Sequence, residues 1–585
     1  MMRFLLICFL LLSSSAWSLE VPPAWKYIPV VHEGRTLHLK TFAGLMTEEH
    51  HIVVPHASDW LFETIFSPES SLSMPAISIT NAEAVSFLGL EARVNHLYSA
   101  KELPAHFLAA KERIEQLEDG ALKTELQNIQ RALNLYYDLS ESFTPFFAFA
   151  NLSWDDIPEV FHPREIKTSP SFSDLLRHRA DIKQTALNAV AAYGTDFAAY
   201  PQYLQKVAYL SFAMDSLAGQ GRSSRSLRIV PDLNGDLISP WQSILNAEGT
   251  PARRTYFETL SDAVTAYAQE DQNTLNSSIQ KLATGGTNPK LYVESLYHSA
   301  KPLTLLIVFS ILGIVLSTAS LLRRSPLLNM LSHTALWGMT SLLTLTLFAR
   351  MYILGRPPVG TLFESILFVV CVCLGFALYK GWQYNKQVQF TAFVSSFLLF
   401  ILANAMAETS AAMPLLTAVL NTQFWLTVHV LCITTGYAVS LLTALAAHGA
   451  LLTHNITLVR VRTLAVWAVF FTLVGTLLGG VWADQSWGRF WGWDPKENGA
   501  LLLVLWLAWC LHLPYSIQIS KKAQQVCFAA TTIIVALSWF GVNLLGVGLH
   551  SYGFTEGIAV GLISFVAVQI CLLVYLYYRK ASHEI

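Results

Sequence analysis

Residues 487–513 read WGRFWGWDPKENGALLLVLWLAWCLHL, and the interpretation of the whole chain starts from this stretch. Its first half alternates tryptophan with glycine and ends in Asp-Pro-Lys-Glu. Its second half is an apolar run with the length of a membrane-spanning helix, which needs ~20 residues. The stretch therefore predicts a transmembrane helix that begins at an aromatic loop carrying a few charges.

Apolar runs of similar length fill the C-terminal half of the chain. Of its 585 residues, 53% are hydrophobic and only 13% are charged, which is typical of a membrane protein. We predict nine spans, near 302–322, 332–354, 361–379, 388–406, 424–446, 463–483, 499–519, 526–547 and 557–577. The predicted fold class is all-α, a polytopic transmembrane helix bundle preceded by a mainly helical exported domain.

Basic residues are concentrated on one side of these spans, which the positive-inside rule makes cytoplasmic. That side carries Arg323, Arg324, Lys380, Lys386, Arg460, Arg462, Lys521, Lys522, Arg579 and Lys580. The other side carries Lys301, Arg356, Arg489 and Lys496, with Arg350 near it. We therefore expect a multi-pass protein of the bacterial inner membrane, with residue 300 outside and the C-terminus in the cytoplasm.

The N-terminal half has the composition of an exported soluble domain. Residues 1–18 combine Arg3, an apolar core and a small-x-small end, which predicts a secretory signal; an uncleaved anchor helix is the alternative. Residues 19–300 are then exported. Amphipathic patterns within them predict helices around 106–139, 172–193, 200–218 and 254–283.

Two transmembrane regions follow, a first helix at 301–325 and a larger domain at 330–580. Before Pro302 the chain has 33 acidic and 24 basic residues, and from Pro302 onward it has 7 acidic and 14 basic residues.

The exported domain contains no cysteine, so it has no disulfide framework. The sequence contains no C-x-x-C-H, which excludes covalent haem attachment to this chain itself.

The predicted topology brings distant residues to the outer membrane face. His429 lies near the outer end of span five, His550 follows span eight, and the tryptophan loop joins spans six and seven. Two imidazoles beside indole surfaces suit a flat, apolar ligand with an anionic edge. Haem meets each requirement, with both histidines as axial ligands.

Charged residues of the loop have predicted roles beside such a ligand. Arg489 and Lys496 are expected to pair with the propionates. Asp494 and Glu497 are expected either to hold the loop or to orient a histidine through its second ring nitrogen. His512 lies within span seven, about 20 Å from its outer end. An ionisable group there indicates a functional role.

Each feature also has a structural interpretation. Aromatic belts occur at any membrane interface, and they account for Trp425 and Trp482 and for part of the loop. An isolated interfacial histidine is more often a hydrogen-bonded structural residue than a ligand. Glu364 and Glu408 are placed near outer span ends, where water is accessible, and the scattered histidines of the exported domain receive no role.

The loop resembles the WWD domain of cytochrome c assembly proteins, through the pattern W-G-x-x-W-x-W-D-x-x-E. The branch that it resembles is CcsA/ResC of the type II system, and three further stretches support this. They are RMYILGRPPVGTLFES at 350–365, FWLTVHVLCITTGY at 424–437 and VNLLGVGLHSYG at 542–553. The exported domain resembles, more weakly, the N-terminal region of large fused members.

The resemblance implies the roles of individual residues. His429 and His550 match the family's outer haem ligands, and His512 matches an intramembrane ligand. The haem-binding WWD motif corresponds to Trp487, Gly488, Trp491, Trp493, Asp494 and Glu497. The family moves haem b outward and presents it to the C-x-x-C-H of an apocytochrome c, whose thiols, kept reduced by thiol reductant proteins, add across the vinyl groups.

One departure from the family pattern concerns a second intramembrane histidine, which the CcsB/ResB part supplies. Here only one span precedes the CcsA-like segment and it contains no histidine, while His333 occupies no matching position. We therefore expect a CcsB/ResB-like membrane subunit and a role as subunit of a cytochrome c synthase (haem lyase). The alternatives are a haem exporter without ligase activity, a WWD protein of the type I system, and an electron-transfer subunit; no nucleic-acid partner is expected.

Overall fold

The computed structural model describes most of the chain. The described residues are 19–118, 120–149, 153–162, 169–221, 224–232, 234–245, 251–284, 288–323, 325–379, 385–405, 413, 422–453, 457–542 and 558–579. The predicted signal at 1–18, His550 and Glu408 lie outside these residues. The chain divides into two compact units, residues 1–295 and 296–585.

The described part of the N-terminal unit is mainly helical. Its α-helices are α1 (Leu39–Glu49), α2 (Ala57–Phe66), α3 (Pro68–Ser73), α4 (Ala82–Leu88), α5 (Leu103–Glu115), α6 (Ala121–Ser140), α7 (Phe172–Leu175), α8 (Arg179–Tyr193), α9 (Gln202–Gly221), α10 (Pro240–Leu245), α11 (Pro251–Ala268), α12 (Gln272–Ala283) and α13 (Pro289–Ala300), in which the division falls. Short 3₁₀ turns lie at Pro23–Tyr27, Thr144–Phe146, Trp154–Asp156, Glu159–Phe161, Leu176–His178 and Phe197–Ala199.

Strands in the described part of this unit form antiparallel pairs. They are β1 (Pro29–His32) with β2 (Arg35–His38), β3 (Pro75–Ser78) with β4 (Leu97–Ser99), and β5 (Val230–Pro231) with β6 (Leu237–Ile238). In the first hairpin His32 pairs with Arg35 across Glu33 and Gly34. Both turn residues have positive φ, at 48° and 77°, as a two-residue turn matched to strand twist requires.

The core of the N-terminal unit is built on large aromatic side chains. Trp25, Trp60, Trp241 and Tyr136 are fully buried, and the indole of Trp60 donates to the hydroxyl of Tyr136 at 2.8 Å. The continuous helix expected over 106–139 is instead two helices, α5 and α6. Gly120 stands in extended conformation directly before α6, which ends the helical path between them.

The described part of the C-terminal unit consists of helices. They are α14 (Pro302–Arg323), α15 (Pro326–Leu354), α16 (Leu362–Ala377), α17 (Lys386–Ala405), α18 (Leu431–Thr453), α19 (Leu458–Trp487), α20 (Pro495–Ser516), α21 (Lys521–Ala529), α22 (Thr531–Trp539) and α23 (Ile558–Tyr578). A short helical turn at Gln423–Trp425 and a π-helical turn at Leu426–Val430 lead into α18.

All nine predicted spans coincide with helices over the described residues, but they are not equivalent. Seven are long and apolar enough to cross a membrane: Pro302–Arg323, Pro326–Leu354, Lys386–Ala405, Leu426–Leu452, Leu458–Trp487, Pro495–Ser516 and Ala559–Tyr578. Helix α16 is apolar but has only 16 residues. The predicted eighth span is divided into α21 and α22, and at the division the Thr532 hydroxyl donates to the carbonyl of Ala529.

Helices α18 and α19 pack backbone against backbone. A Cβ added to Gly436 would lie 2.6 Å from Cγ2 of Thr472, and one added to Gly475 would lie 2.8 Å from Cα of Ile433. Small residues allow such close approach in helix bundles within membranes. This contact holds α19 against the segment that carries His429.

Candidate haem site

A pocket lies where several helices of the C-terminal unit meet the tryptophan loop. Its cavity volume is about 180 Å³. It is lined by Val359, Gly360, Thr361, Leu362, Ser365, Leu426, His429, Val430, Ile433, Thr434, Tyr437, Thr476, Gly479, Gly480, Trp482, Trp487, Trp491, Lys496, Glu497, Ala500, Ser538 and Trp539. Residues predicted from three separate segments of sequence, around 360, 429 and 490, thus meet at one site.

His429 is held in a defined orientation. It lies in the π-helical turn Leu426–Val430, a rare form of helix that recurs at functional sites. Its Nδ1 is 2.8 Å from the carbonyl oxygen of Gly475. Because a carbonyl only accepts, Nδ1 carries the hydrogen, and the neutral ring keeps its lone pair on Nε2. This is the tautomer in which Nε2 can serve as a metal ligand.

The space around the His429 ring is created by a glycine and bounded by an indole. A Cβ added to Gly479 would lie only 2.6 Å from Cε1 of His429, so any side chain at that position would displace the ring. Trp482 meets the imidazole edge to face, with ring centroids 5.7 Å apart. The Nε1 of Trp482 is buried and has no hydrogen-bond partner among the described residues. Trp482 therefore belongs to the pocket and is more than a belt residue.

Some indoles of the tryptophan loop line the pocket, and another is exposed outside it. Trp487 and Trp491 line the pocket and are half-buried. Trp493 is 71% exposed, meets Trp491 edge to face, and has φ of 55°. A bulky residue in the left-handed region is strained, at ~1–3 kcal/mol. Gly488 has φ of 70° and caps α19, its N–H donating to the carbonyl of Asp484, which turns the chain into the loop.

Asp494 and Glu497 hold the loop through its backbone. Asp494 is the N-cap of α20, and its carboxylate accepts from the N–H of Lys496 at 2.9 Å. Glu497 accepts from the N–H groups of Gly492 at 2.8 Å and Asp494 at 3.1 Å. The two acids form a capping box, which satisfies backbone donors at the start of a helix. Of the two roles predicted for them, the described contacts are those of loop support.

The predicted basic residues occupy different surroundings. Lys496 is half-buried and lines the pocket. Arg489 is exposed, and its guanidinium lies against Gly492, where an added Cβ would be 2.4 Å from Cζ. Lys496 is thus the basic side chain of the loop that reaches the ligand space directly.

His512 is not brought together with His429. It lies four residues before the end of α20, remote from the pocket, and its ring is exposed on the surface of the C-terminal unit. Its Nδ1 is 2.8 Å from the carbonyl oxygen of Ala508, one turn earlier. The sequence places His512 within a hydrophobic span, but a residue in such a span need not be buried inside the protein. The ring of His512 faces the outside of the unit. His550 lies outside the described residues.

Two features of the site were not expected. Tyr437 and Trp539 stack with ring centroids 5.7 Å apart and an interplanar angle of 6°, and both line the pocket. Eight residues separate Tyr437 from His429 along the helix, so the pocket descends about 12 Å into the bundle. Aromatic residues within a hydrophobic span carry no distinctive sequence signal.

The second unexpected feature concerns Glu364, for which water access was predicted wrongly. Its side chain is fully buried, and it forms ion pairs with Arg350 at 2.9 Å and Arg356 at 2.8 Å. A signal was present in the sequence: Thr361 and Glu364 have the spacing of a helix N-cap followed by its third residue, and Arg350 and Arg356 precede them within the same short stretch. Burial of the acid is decided by the packing of three segments.

Comparison with known proteins defines the class to which this site belongs. Residues 359–550 match the family model described as Cytochrome C assembly protein. This region is therefore similar to cytochrome c assembly proteins, and with its apolar helices the chain is a multi-pass membrane protein.

Relatives narrow the class further. Cytochrome c biogenesis protein CcsA of Chlamydomonas reinhardtii is 29% identical over 237 residues, which are 36% of this chain and 65% of the relative. CcsA of Synechococcus sp. (strain CC9311) is 27% identical over 286 residues, 40% of this chain and 90% of the relative. Protein NrfI of Wolinella succinogenes is 28% identical over 240 residues, 38% of this chain and only 26% of the relative. Over this region the chain is thus similar to the CcsA proteins of the CcsA/ResC family.

Proposed function

We propose that this protein is a cytochrome c assembly protein that binds haem b as its substrate in the outer pocket. The observation that carries the proposal is that His429, with Nδ1 held by the Gly475 carbonyl, lines a pocket together with Trp482, Trp487 and Trp491. A lone-pair nitrogen suits the iron, and flat apolar walls suit the porphyrin. The family match over 359–550 supports the same function.

His550 is the proposed second axial ligand at the outer face, on the strength of the resemblance. Bis-His ligation keeps the iron six-coordinate and protects it from oxygen. His512 is the proposed intramembrane ligand. Its exposure on the surface of the unit supports this role, because a ligand shared with a CcsB/ResB-like subunit must face outward.

The size of the pocket supports partial enclosure of the porphyrin. Its volume of about 180 Å³ is below the ~300–1,000 Å³ of ordinary ligand pockets. We infer that one edge of the macrocycle enters between His429 and the indoles while the vinyl edge stays accessible. Lys496, and Arg489 at the rim, pair with the propionates.

The proposed reaction needs positioning more than acid–base chemistry. The histidine of the apocytochrome C-x-x-C-H replaces one axial ligand, which places its two cysteines over the vinyl groups. Each S–H then adds across a vinyl C=C, so that one C–S and one C–H bond form with no net electron transfer. The protein contributes by holding both reactants in the productive arrangement. The thiols arrive reduced, and separate thiol reductant proteins supply that state.

The localisation proposed is the bacterial inner membrane, with residues 19–300 in the periplasm and the C-terminus in the cytoplasm. The haem-export alternative shares the pocket and differs only in the chemistry that follows. The outer position of His429 favours both of these over an electron-transfer subunit, in which histidine pairs face each other within the membrane.

The test is an absorption spectrum of the purified protein together with covalent cytochrome c formation in cells. Wild-type protein is expected to show a reduced bis-His haem spectrum, and His429→Ala to lose both that spectrum and covalent cytochrome c. His333→Ala is the matched control, since His333 lies on α15 outside the pocket. Normal cytochrome c formation in His429→Ala and His550→Ala would overturn the ligase function. Loss of cytochrome c with haem export intact would separate ligase from exporter.

A further inference from the structure

The buried ionic cluster beside the pocket contains more positive than negative charge. Arg350 and Glu364 are at most 1% exposed, and Arg356 is 6% exposed. One carboxylate therefore faces two guanidinium groups. Ions removed from water need a partner for each charge, because an uncompensated buried charge is strongly destabilising. Within the part of the chain that the structure describes, this excess of one positive charge indicates that an anion completes the cluster.

The donors of the two arginines show where that anion belongs. Arg350 donates from Nε and Nη2 to one oxygen of Glu364, at 3.3 and 2.9 Å, and from Nη1 to the hydroxyl of Tyr297 at 3.3 Å. Arg356 donates from Nη1 to the other Glu364 oxygen. Its Nη2 is buried and has no partner among the residues that the structure describes. The unsatisfied donor is thus on Arg356.

The cluster lies directly behind a wall of the pocket. Gly360 lines the pocket. Its N–H donates to one Glu364 oxygen at 2.9 Å, and Arg356 Nη1 donates to the same oxygen at 2.8 Å. The two nitrogens are therefore no more than 5.7 Å apart. Because Val359, Gly360 and Thr361 line the pocket, the Arg356 guanidinium lies close to any ligand bound against this segment.

Carboxylates of the chain do not supply this anion within the described part of the C-terminal unit. Asp494 and Glu497 are engaged in the capping box, and Asp484 is exposed on α19. We propose that Arg356 is a carboxylate anchor of the pocket, taking one carboxylate of an anionic ligand. The assignment rests on the proposed function, in which that carboxylate is a haem propionate.

The test compares haem with its dimethyl ester, which lacks both carboxylate charges, on the full chain in nanodiscs. We expect wild-type protein to prefer haem, and Arg356→Gln to reduce the ratio of the two affinities about tenfold or more, the value of a lost charge-assisted hydrogen bond. Lipid partitioning of the ester is common to all variants, so it cancels in the comparison. Arg356→Lys keeps the positive charge, so its ratio of haem affinity to ester affinity is expected to lie between those of wild-type protein and Arg356→Gln.

Two controls separate the possible results. Arg460→Gln removes the same group from the exposed start of α19 and should leave the ratio unchanged. Arg356→Gln leaves Arg350 and Glu364 as a neutral pair, so it should fold, and thermal unfolding checks this. A His429-dependent haem spectrum with the same ratio in Arg356→Gln would overturn the anchor and leave the proposed function standing. Failure of wild-type protein to bind either porphyrin would overturn both.

Discussion

At the scale of single residues, the site depends on how one imidazole is held. The Gly475 carbonyl fixes the tautomer of His429, and the absence of a side chain at Gly479 leaves room for its ring. Both groups belong to α19, whereas His429 belongs to the turn before α18. Ligand orientation at this site is therefore a property of the contact between two helices, and a partner of this kind is what tunes a metal-ligating histidine.

Gly479→Ala is expected to weaken haem binding while the protein stays folded. The new Cβ would lie 2.6 Å from Cε1 and 3.1 Å from Nδ1 of His429, which forces the ring to move and strains its bond to Gly475. Changes to the surroundings of a ligating histidine lower metal affinity roughly 10–100-fold. Haem titration by absorption measures the effect.

The matched control is Gly375→Ala in α16. This glycine also lies within an apolar helix of the same unit, but an added Cβ there meets no heavy atom within 4 Å. Equal haem affinity in the two variants would show that the His429 ring is not confined by Gly479.

At the scale of elements, the acidic residues of the predicted WWD motif stabilise the start of a helix. Asp494 and Glu497 satisfy the backbone donors at the start of α20 and close the loop that carries Trp491 and Trp493. The loop is thus positioned by the helix that follows it. Acids placed beside an anionic ligand would repel it, and their engagement with backbone N–H groups reconciles them with the proposed binding of propionates.

Asp494→Ala and Asp494→Ser separate capping from charge. Loss of the cap in Asp494→Ala costs about 1 kcal/mol and releases the loop, so both thermal stability and haem retention should fall. Serine also caps helices well, so Asp494→Ser is expected to keep most of the thermal stability and most of the bound haem. Thermal unfolding and haem content of the purified variants are the measurements. If the serine variant behaved like the alanine variant, the carboxylate charge itself would be the important feature.

At the scale of the whole molecule, the two units have different chemical characters and should respond differently to pH. In the N-terminal unit, burial lowers the pKa of both His32 and His50 below the ordinary 6.5, although neighbouring glutamates oppose the shift. Below pH 6.5 the unfolded chain therefore binds protons that the folded unit resists. By linkage, the stability of this unit falls as the pH drops from about 6.5 through the folded pKa values.

We expect the unfolding transition of the N-terminal unit to move to lower temperature between pH 7.5 and 5.5. His32→Gln should reduce that shift, because it removes one buried titrating ring. His51→Gln is the control: His51 lies next to His50 but is exposed, so this variant removes a histidine that is not buried. Calorimetry of the three proteins at both pH values measures the effect, and an identical shift in all of them would contradict the assignment to His32.

The sequence by itself determined the helical class, the positions of the nine apolar segments and the WWD motif, because hydropathy, periodicity and motif spacing are properties of single segments. Only the tertiary structure decided that Glu364 is buried between two arginines, that the ring of His512 faces outward, and that Tyr437 stacks on Trp539. Those facts depend on which face of each helix meets a partner from a distant segment. The free energy of such a contact belongs to both partners together, so neither segment encodes it alone.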